Sequence, residues 1–498
     1  MSEAFATCDR GTEPVLSTAQ IRALEARFGD ADLMRRAGKA AANFLLKRTT
    51  RDARIMLFAG PGNNGGDALA CATELVAAGY RPEIVMLGTP EKLPADAHAA
   101  WLRMLELPSD SFSLRRDVPS DAVHADWIVD GLFGIGLKRP LDGAFSDAVR
   151  VIADARNAGA NVLALDAPSG VDADSGALVG DAVVGADFTL TFLAQKPGLL
   201  TGPALDFVGE LHCDALGTVA EVARTEIVAI NRPFIDATVS RRAANAHKGS
   251  QGTCMIIGGA DGMLGAATLA SRAAMRCGAG KVKVGWLTEA APAMDPNMPE
   301  IMMGSAGDLV ANATTALVIG CGLGVSGAAV RVLTTALQRD LPMVVDADAL
   351  NLIAQSAELA TLMQRRTSPT VITPHPAEAS RLLGCSTADV ERDRLLAARD
   401  LAKGYRCVAV LKGAGTVVCD GITNTGLSIN RSGNALLATA GTGDVLAGMI
   451  GAWLAQGFDA ATAARLGVCM HGAAADALAN RGVKRAVAGD IVRELSRV

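Results

Sequence analysis

The chain is poor in aromatic residues and carries no concentrated charge of either sign. Of its 498 residues only 4% are aromatic, with 2 tyrosines and 4 tryptophans, and the net charge is −5. No lysine- or arginine-rich tract interleaves with aromatic residues, so we expect no nucleic-acid partner. Apolar runs are interrupted by glycine, proline or charge before about 18 residues, so we expect no membrane span.

The cysteines show no pattern of metal or disulfide chemistry. There are 10 of them, and they form neither a Cys-x-x-Cys pair nor a Cys/His spacing typical of zinc. Several lie in apolar or glycine-rich segments, among them Cys254, Cys321, Cys407 and Cys419. Buried free thiols in a reducing compartment are therefore favoured. Residues 1–14 show no basic-then-apolar leader pattern, so we expect a cytoplasmic location.

What the chain does contain is a large amount of small apolar side chain. Half of the residues are hydrophobic and 20% are charged. This length is too great for one hydrophobic core, so two domains of roughly 200–270 residues are expected. Short β-branched runs alternate with amphipathic segments, which is typical of βαβ units around parallel sheets. We predict an α/β fold with domains at 1–222 and 248–498, joined by a linker at 223–247.

The alternating pattern also predicts individual elements. In the first half it indicates strands at 54–59, 83–87, 127–130, 162–166 and 189–192. In the second half it indicates strands at 253–257, 316–319, 343–346, 371–373 and 408–412. Helices are expected at 67–78 and 266–276, and an N-terminal helix from Ser17 or Thr18 towards Leu46, broken near Gly29.

A glycine-rich loop follows the first predicted strand. Residues 60–67 read GPGNNGGD. Glycines permit close backbone approach and positive φ angles, and Asn63 and Asn64 offer amide donors and acceptors. Asp67 is expected in the first helical turn, where a carboxylate is favourable. The alternative is a simple strand–helix turn in which Asp67 is only a helix-start charge.

Three further polar loops follow predicted strands, and they begin at Asp130, Asp166 and Lys196. Because the carboxyl ends of parallel strands bind ligands in open α/β sheets, the four loops indicate one rim. Oxygen atoms of Asn64, Asp130 and Ser169 could hold a cation. Asp166 and Lys196 are candidates for proton transfer or substrate orientation. Asp130 or Asp166 could instead cap a neighbouring turn.

The second half carries a different glycine motif, Gly441–Asp444, which reads GTGD. A glycine-rich turn that opens a helix converges backbone amides on an anion. Asp444 then stands where a base for a hydroxyl attacking a phosphoryl group is needed. Residues 412–416, KGAGT, could bind a nucleotide with Lys412 and glycine amides, or could form a tight hairpin with a surface lysine. No GxxxxGK[ST] sequence occurs, which excludes a P-loop.

Three other loops are expected at this second site, at 258–267, 320–324 and 373–378. His375 stands between two prolines at a predicted strand end, which favours a site role. His471 lies in a predicted helix at 468–478, which favours a structural role. For Asp346 and Asp348 both cation binding and helix capping are open.

The motifs of the first half resemble a known family. GPGNNGGD, DGLFGIGLKRP, DAPSGVDADSG and QKPG are similar to the NAD(P)H-hydrate epimerase, or YjeF N-terminal, domain over about 17–222. The resemblance implies a Rossmann-like αβα domain with a potassium ion held by Asn64, Asp130 and Ser169. It also implies contacts to hydrated NADH or NADPH from Asn63, Asn64, Gly65, Gly66, Asp67, Gly134, Ile135, Gly136, Leu137, Lys138, Arg139, Pro140 and Asp166. Ala68 departs from the family's usual glycine.

The motifs of the second half resemble the ADP-dependent NAD(P)H-hydrate dehydratase family, which has a ribokinase-like αβα fold. HKGSQGTCMIIGGA, VVDADALN, TPHPAEASRLLG, LKGAGT and GTGDVLAGMI carry the likeness over about 226–498. It implies substrate contacts from Ala266, Gly324, His375 and Asp444. It implies that ADP, with Mg²⁺ on its phosphates, is held by Lys412, Gly413, Ala414, Gly415, Thr416 and Gly443. Cys321 departs from the family's usual proline.

Taken together, the resemblances imply a bifunctional repair enzyme. The first domain would interconvert the R and S hydrates of NADH or NADPH. The second would use ADP as phosphoryl donor, with Asp444 as base, to restore the coenzyme and release AMP and phosphate. We expect small-molecule substrates as the only partners besides further copies of the chain, because the resemblance implies a homo-oligomer.

Other interpretations stay open. A ribokinase-like kinase for a small alcohol would share the GTGD motif but would leave GPGNNGGD unexplained. A dehydrogenase is formally allowed, because Gly322–Gly327 matches GxGxxG and Asp346 follows it. The first domain could also be a binding module without activity, against which its asparagines and aspartates argue.

Overall fold

A computed structural model describes residues 11–28, 32–119, 124–218, 225–422 and 426–497. The chain divides into two compact units, of which one comprises mainly Pro14–Thr225 and the other mainly Glu226–Val498. Each unit builds helices around a largely parallel sheet. The α/β class predicted from the sequence is therefore confirmed.

In the first half of the chain the strands are short and evenly spaced. They are β1 (Glu13–Val15), β2 (Ile55–Ala59), β3 (Glu83–Met86), β4 (Ser113–Arg115), β5 (Trp127–Gly131), β6 (Asn161–Leu165), β7 (Phe188–Phe192) and β8 (Glu210–Asp214). The helices are α1 (Thr18–Phe28), α2 (Leu33–Leu46), α3 (Asn63–Ala77), α4 (Ala95–Leu105), α5 (Ala144–Asn157) and α6 (Leu205–Val208).

The described residues of the first unit form a seven-stranded sheet in the order β4-β3-β2-β5-β6-β7-β8. Every neighbouring pair in it is parallel. All five residues of β2 are buried, since helices cover both faces of such a sheet. The carboxyl ends of β2, β5, β6 and β7 therefore lie side by side at one edge.

The second half begins a new set of strands. They are β9 (Ile227–Ile230), β10 (Thr253–Ala260), β11 (Lys281–Leu287), β12 (Met302–Ser305), β13 (Ala316–Ile319), β14 (Met343–Val345), β15 (Thr370–Ile372), β16 (Val408–Leu411), β17 (Val417–Asp420) and β18 (Leu427–Asn430). Its helices are α7 (Arg232–Thr238), α8 (Leu264–Arg276), α9 (Ala306–Ala311), α10 (Gly327–Leu337), α11 (Ala347–Gln355), α12 (Ala357–Gln364), α13 (Pro376–Leu383), α14 (Thr387–Arg392), α15 (Arg394–Tyr405), α16 (Thr442–Ala455), α17 (Ala460–Asn480) and α18 (Ala488–Glu494).

Within the second unit the strands follow the order β9-β18-β17-β16-β15-β14-β13-β10-β11-β12. Only β17, among these described strands, runs antiparallel to its neighbours, because a tight turn joins it to β16. The five strands β16, β15, β14, β13 and β10 are adjacent and parallel. The loops that follow them must meet at one edge of the sheet.

The predicted strands agree with the observed ones to within a residue or two at most ends, and two other predictions need correction. Helix α3 starts at Asn63, so Asp67 lies beyond its first turn and not within it as predicted. A Cβ on Gly65 would lie 2.1 Å from the carbonyl oxygen of Gly60. The range 223–247 is not simply a linker, since β9 pairs with β18 and α7 follows it.

The remaining composition-based expectations concern cysteines and membrane segments. Cys254, Cys321, Cys407 and Cys419 are buried free thiols, as expected. Within the described ranges, no helix combines the length and the apolar character required to cross a membrane.

Candidate active sites

The first candidate site is a cavity at the carboxyl edge of the first sheet. Its volume is about 700 Å³. The predicted residues that line it are Asn63, Asn64, Asp67, Gly134, Ile135, Gly136, Leu137, Asp166 and Lys196. The predicted residues Gly65, Gly66, Lys138, Arg139 and Pro140 are described but are not among the lining. Loops from four adjacent strands thus meet at one rim, as the sequence predicted.

An ion pair between Lys196 and Asp166 stands at the centre of this cavity. Nζ of Lys196 lies 2.6 Å from Oδ1 of Asp166 and also donates to Oγ1 of Thr191 and the carbonyl of Phe192, each at 2.7 Å. Lys196 is fully buried. Asp166 follows directly after β6 and has a φ of 63°, a left-handed conformation in which the chain leaves the direction of the strand. A lysine so buried orients the carboxylate beside it.

Asp130 and Ser169 form a buried hydrogen-bonded pair beneath the cavity. Oδ1 of Asp130 accepts from Oγ of Ser169 at 2.7 Å and from the amide of Leu132 at 3.1 Å, and Oδ2 accepts from the amide of Ser169 at 2.8 Å. Burial raises the pKa of Asp130 to about 6, although these hydrogen bonds act to lower it. Asp130 therefore does cap the neighbouring turns, which was the alternative interpretation of this residue.

Asn64 is the unusual member of the predicted cation set. Its side chain is buried, and neither its amide nitrogen nor its amide oxygen has a hydrogen-bond partner in the described part of the chain. A Cβ built on Gly134 would lie 3.2 Å from Cγ of Asn64 and 3.1 Å from Oδ2 of Asp166, so the three residues are close neighbours. A buried amide without partners points to a ligand that completes it.

Two further carboxylates face the same cavity. Burial raises the pKa of Asp67 well above its usual range, and the nearby Asp166 and Glu25 raise it further. Burial and Asp166 also raise the pKa of Glu25, which lines the cavity from α1 together with Arg22. Sequence analysis missed Glu25 and Arg22, because they lie on an ordinary amphipathic helix without a motif.

The second candidate site lies at the carboxyl edge of the second sheet. The amide of Gly324, in the loop after β13, donates to Oδ2 of Asp348 at 2.8 Å. A Cβ on Gly322 would lie 3.1 Å from Cβ of Ala266, so the first turn of α8 borders the same loop. The loops predicted at 258–267 and 320–324 are therefore neighbours.

Lys412 is the cation of this site. Nζ donates to Oδ1 of Asp346 at 2.8 Å and lies 3.8 Å from Oε2 of Glu378. Burial lowers its pKa, but these two carboxylates outweigh burial and raise it overall. Residues 412–416 do connect the antiparallel strands β16 and β17, so the hairpin alternative holds for the backbone. The lysine is nevertheless only 17% exposed and is not a surface residue.

The GTGD motif opens α16 as predicted. Gly441 takes the N-cap position with φ of 88°, and Asp444 lies in the first helical turn. Burial, followed by the charge of Asp346, raises the pKa of Asp444 to about 6. A Cβ on Gly443 would lie 3.3 Å from Nζ of Lys412. A carboxylate, a cation and the amides of the first turn of α16 therefore lie close together.

His375 and Asp346 occupy helix starts. Nδ1 of His375 accepts from the amides of Ala377 and Glu378, and the amide of His375 donates to Oε2 of Glu378 at 2.8 Å. Asp346 takes the N-cap position of α11, yet its side chain makes no capping bond to any described backbone amide and pairs with Lys412 instead. Sequence analysis did not predict a capping role for His375.

His471 lies in α17, and its side chain is close to the second site. Burial, followed by the charge of Lys412, lowers its pKa to about 4, so it is neutral at physiological pH. The backbone of Thr442, which is the first residue of α16, opposes part of this lowering of the pKa. A structural role that supports the GTGD turn agrees with the prediction.

Arg394 supports the predicted nucleotide loop at residues 412–416, a role for which the sequence carries no signal. It is buried and donates to the carbonyls of Leu411 at 3.3 Å and Lys412 at 3.0 Å. A Cβ on Gly413 would lie 2.8 Å from a guanidinium nitrogen of Arg394. The loop closes when Thr416 donates to the carbonyl of Gly413 at 3.0 Å.

Two α/β units with glycine-lined sites at the edges of their sheets define a two-site enzyme of nucleotide chemistry. Comparison with known proteins agrees. A family model described as YjeF-related protein N-terminus matches residues 30–198, and one described as NAD(P)H-hydrate dehydratase matches residues 254–497. The bifunctional NAD(P)H-hydrate repair enzyme Nnr of Coxiella burnetii is 38% identical over 93% of this chain and 93% of its own length. The chain belongs to the family of bifunctional NAD(P)H-hydrate repair enzymes.

Other relatives extend the comparison. The corresponding enzyme of Escherichia coli is 38% identical over 94% of this chain and 89% of its own length. Among solved structures, an ADP/ATP-dependent NAD(P)H-hydrate dehydratase from Bacillus subtilis, co-crystallized with ATP/Mg2+, is 31% identical. It covers 53% of this chain and 94% of that chain, with a TM-score of 0.47.

The family assignment confirms the resemblance, the enzyme class and the twofold function predicted from the sequence. Neither the small-alcohol kinase nor the dehydrogenase alternative accounts for a likeness that covers both halves. The roles of individual site residues and the domain limits at 222 and 248 stay predictions.

Proposed function

We propose that this chain repairs hydrated nicotinamide coenzymes, with an epimerase site in the unit that precedes Glu226 and a dehydratase site in the unit that follows. The observation that carries the proposal is the placement of Asp444 at the glycine-lined start of α16, beside Lys412. Family membership over 93% of the chain supports both activities. In this proposal the boundary between the two domains falls near Glu226 instead of at the predicted limits 222 and 248, because β9 and α7 belong to the second unit.

The dehydratase step needs a good leaving group, because hydroxide leaves poorly from C6 of the hydrated nicotinamide ring. Asp444 takes the proton of the C6 hydroxyl as its oxygen attacks the β-phosphorus of ADP. The O–P bond to the hydrate forms, the bond from that phosphorus to the AMP oxygen breaks, and AMP leaves. Amides of the Gly441–Gly443 turn and the ammonium of Lys412 stabilise the charge of the moving phosphoryl group.

Release of phosphate completes the repair. The C6–O bond breaks with its electron pair on phosphate, driven by the lone pair of the ring nitrogen. Loss of the proton at C5 then restores the double bond of NADH or NADPH. The sum is hydrate plus ADP giving reduced coenzyme, AMP and phosphate, and Mg²⁺ accompanies the phosphates of ADP as counter-ion.

The binding roles follow the predicted positions. Ala266, Gly324, His375 and Asp444 would contact the hydrate, and the amides of residues 412–416 with Gly443 would hold ADP. The buried Arg394 supports this by holding the loop carbonyls in place. Nδ1 of His375 is engaged in capping and Nε2 lies 3.3 Å from Oε1 of Glu378, so His375 would contact substrate with the exposed part of its ring.

The epimerase site would act through the pair of Asp166 and Lys196. Interconversion of the R and S forms at C6 requires proton transfer to and from the substrate. Asp166 is oriented by Lys196 at 2.6 Å and faces a cavity of about 700 Å³, which can hold a nicotinamide nucleotide. Asn63, Asn64, Asp67 and the loop Gly134–Pro140 would bind the remainder of the substrate, with Gly65 and Gly66 shaping the helix start.

Potassium would be held by Asn64, Asp130 and Ser169. These three residues fit a hard cation, since all offer oxygen and the buried amide oxygen of Asn64 lacks any partner among the described residues. When bound, the ion would supply positive charge that fixes the Asn64 loop beside the substrate. We further propose a cytoplasmic homo-oligomer, with nucleic acid and membrane having no part in its function.

The test is to incubate the purified chain with mixed R and S hydrates, with and without ADP and Mg²⁺. We expect the absorbance of reduced nicotinamide to return for both epimers, with one AMP formed per coenzyme restored. Equal recovery without any nucleotide would refute the phosphoryl-transfer step. Recovery that stops at the S fraction would refute the epimerase assignment alone.

A further inference from the structure

Gly324, which is proposed to contact the hydrate, lies at the end of the loop that follows β13. The earlier part of this loop is held by backbone bonds, since the carbonyl of Gly322 accepts from the amide of Ala260 at 2.7 Å. The amide of Gly324 donates instead to a side chain, Oδ2 of Asp348, at 2.8 Å. Asp348 stands 24 positions further along the chain, in the first turn of α11. A residue outside the loop therefore holds the end that is proposed to meet the substrate.

The conformation of Gly324 makes this bond important. Its φ is 70°, in the left-handed region that residues with side chains rarely adopt. A Cβ built on it would lie 3.4 Å from Cβ of Ala260 and from Cε of Met263, so the glycine adjoins the loop that leads into α8. Because a glycine backbone has more freedom than any other, the direction of this peptide depends on what holds its amide. The bond to Asp348 fixes that direction.

A strained residue precedes Asp348. Ala347, which begins α11, has a φ of 48° although it is not a glycine. Its neighbour Asp346 is packed against the start of the same loop, because a Cβ on Gly320 would lie 1.8 Å from the carbonyl oxygen of Asp346. Such a conformation persists only where its surroundings enforce it, and it is typical of functional positions.

The left-handed turn at Ala347 separates two carboxylates that hold different loops. On one side, Oδ1 of Asp346 accepts from Nζ of Lys412 at 2.8 Å. On the other side, Oδ2 of Asp348 accepts from the amide of Gly324. One carboxylate thus serves the loop that is expected to hold ADP, and the other serves the loop that is expected to hold the hydrate.

We propose that Asp348 is a positioning residue for the hydrate: its carboxylate fixes the amide of Gly324 and so sets the backbone that the substrate contacts. The proposal rests on the proposed dehydratase function and adds a residue to it. Asp348 acts only through Gly324, whereas Asp346 acts through Lys412 on the side of the nucleotide. Loss of Asp348 should therefore weaken binding of the hydrate and leave binding of ADP unchanged.

A purely structural role for Asp348 makes a different prediction. A carboxylate in the first turn of a helix is stabilised by the helix dipole, whatever else it contacts. Glu358 occupies the same position in α12, the second residue, and is exposed, so it provides a control for charge at a helix start. Asparagine at position 348 removes the charge but keeps an oxygen that can accept from Gly324. It therefore separates the charge from the hydrogen bond.

The charge of Asp348 also acts on Asp444, and the variants must account for it. Burial and the charge of Asp346 are the main causes that raise the pKa of Asp444, Asp348 adds a smaller contribution, and Lys412 lowers the pKa. Every neutral residue at position 348 removes the same charge. A difference between neutral variants of similar size is therefore assigned to the hydrogen bond.

The experiment uses the full-length variants Asp348→Asn, Asp348→Leu and Asp348→Ala, with Glu358→Ala as control. Leucine has nearly the shape of asparagine but cannot accept a hydrogen bond. Initial rates are measured with the S hydrate varied at saturating Mg-ADP, and with ADP varied at saturating hydrate. We expect KM for the hydrate to rise about tenfold or more in the leucine and alanine variants, with KM for ADP within about twofold of wild type. Asp348→Asn should recover most of this loss, and Glu358→Ala should show none.

A second measurement does not depend on turnover. Hydrogen–deuterium exchange with mass spectrometry follows the peptide that contains residues 320–324 while the S hydrate is titrated without nucleotide. The hydrate should slow exchange of this peptide, and half-maximal protection should need about tenfold more hydrate in the leucine and alanine variants than in wild type. Because the readout is confined to this peptide, hydrate bound at the first site does not contribute.

The outcomes separate the two proposals. If wild type restores no coenzyme with ADP but the hydrate protects this peptide, the phosphoryl-transfer step fails and the exchange data still decide the role of Asp348. Absence of protection in wild type overturns that role. An equal KM for the hydrate in the asparagine and leucine variants, or a loss that appears in KM for ADP, overturns it as well. Should Asp348→Ala fail to fold, as thermal melting would report, the asparagine and leucine variants decide in the same way.

Discussion

Nζ of Lys412 lies 2.8 Å from Oδ1 of Asp346 and 3.8 Å from Oε2 of Glu378. One largely buried ammonium group thus joins the ends of β14 and β16 to the first turn of α13, the helix that follows β15. It brings positive charge to the place where the phosphates of a nucleotide are expected. The same contact makes the lysine a structural element, because both carboxylates are buried.

We predict that Lys412→Met removes both functions of this contact. It should lower dehydratase kcat/KM for ADP by roughly 100-fold or more, since a phosphate partner is lost. It should also destabilise the second unit by about 3–5 kcal/mol, because Asp346 stays buried without its cation. Thermal melting and steady-state kinetics measure the two effects. The double variant Lys412→Met, Asp346→Asn should regain stability without activity, and a fully stable single variant would contradict the account.

The pH dependence of the dehydratase should report Asp444. Its pKa is raised to about 6, and only the ionised form can act as base. We expect turnover to be constant well above pH 6 and to fall about tenfold per unit below it. A pH profile of kcat with saturating hydrate and ADP checks this. Asp444→Asn should abolish recovery from both epimers while epimerase activity in the same chain continues.

Asp444→Asn should also change stability in a direction set by the same pKa. Folding raises the pKa of Asp444, so the folded chain binds its proton more tightly than the unfolded chain does. This stabilising contribution is complete below the ordinary pKa of an aspartate and is lost as pH rises through about 6. At pH 8 the asparagine variant should therefore melt higher than wild type, and at pH 4 the gap should narrow. An equal gap at both values would refute the assignment.

Asp166→Asn tests the first site alone. The pair with Lys196 at 2.6 Å would be replaced by a neutral amide, so epimerisation should fall by roughly 100-fold or more. In a mixture of hydrates the variant should restore the S fraction and leave the R fraction. Chiral chromatography of the remaining hydrate measures this, and the dehydratase of the same molecule serves as internal control. Full repair of both epimers at the wild-type rate would show that Asp166 is not the proton carrier.

Two glycines of α16 give a matched comparison. A Cβ on Gly443 would meet only Nζ of Lys412 at 3.3 Å, whereas a Cβ on Gly448 would lie 2.0 Å from the carbonyl oxygen of Ala270. Gly443→Ala should leave the melting temperature within a few degrees of the wild-type value. It should raise KM for ADP at least about tenfold, since the methyl group enters the proposed phosphate site. Gly448→Ala should destabilise the fold by about 1–3 kcal/mol, because α16 must move away from α8. A reversed pattern would contradict the placement of ADP.

Potassium binding can be tested without measuring activity. Because the amide oxygen of Asn64 lacks a partner within the described ranges, a potassium ion bound to it should stabilise the folded first unit. We expect KCl to raise its melting temperature relative to choline chloride, and Asn64→Ala to remove that difference. If wild type and the variant respond alike to potassium, the ion does not use Asn64.

Much of both sites follows from patterns that are local in the sequence. Gly60–Asp67 is a glycine-rich segment between a strand and a helix, and Gly441–Asp444 is a glycine-rich turn at the start of a helix. Such segments can be recognised in a sequence before the fold is known. The order of the other loops was also accessible, since parallel strands place their carboxyl ends together. For this reason the sequence placed Lys196 and Lys412 at the edges of two separate sheets, which is where the structure has them.

Residues without a motif could not be identified in this way. Glu25 and Arg22 belong to a helix whose pattern is that of any surface helix, and only its packing brings them to the cavity. Arg394 is distant in sequence from the loop that it supports. The capping role of His375 depends on where α13 begins, which the flanking prolines indicated only in part. These roles arise from contacts between separate segments.

The sequence by itself determined the fold class, the family and the positions at which glycine loops meet strand ends, because these depend on local periodicity and on backbone freedom. Only the tertiary structure decided which charges are buried together. It paired Lys412 with Asp346, which is 66 positions away in the sequence, and it brought the sulfur of Cys321 within 4.8 Å of carboxylate oxygens of Asp346 and Asp444. Burial of a charge is a property of everything packed around it, and so no stretch of sequence specifies it alone.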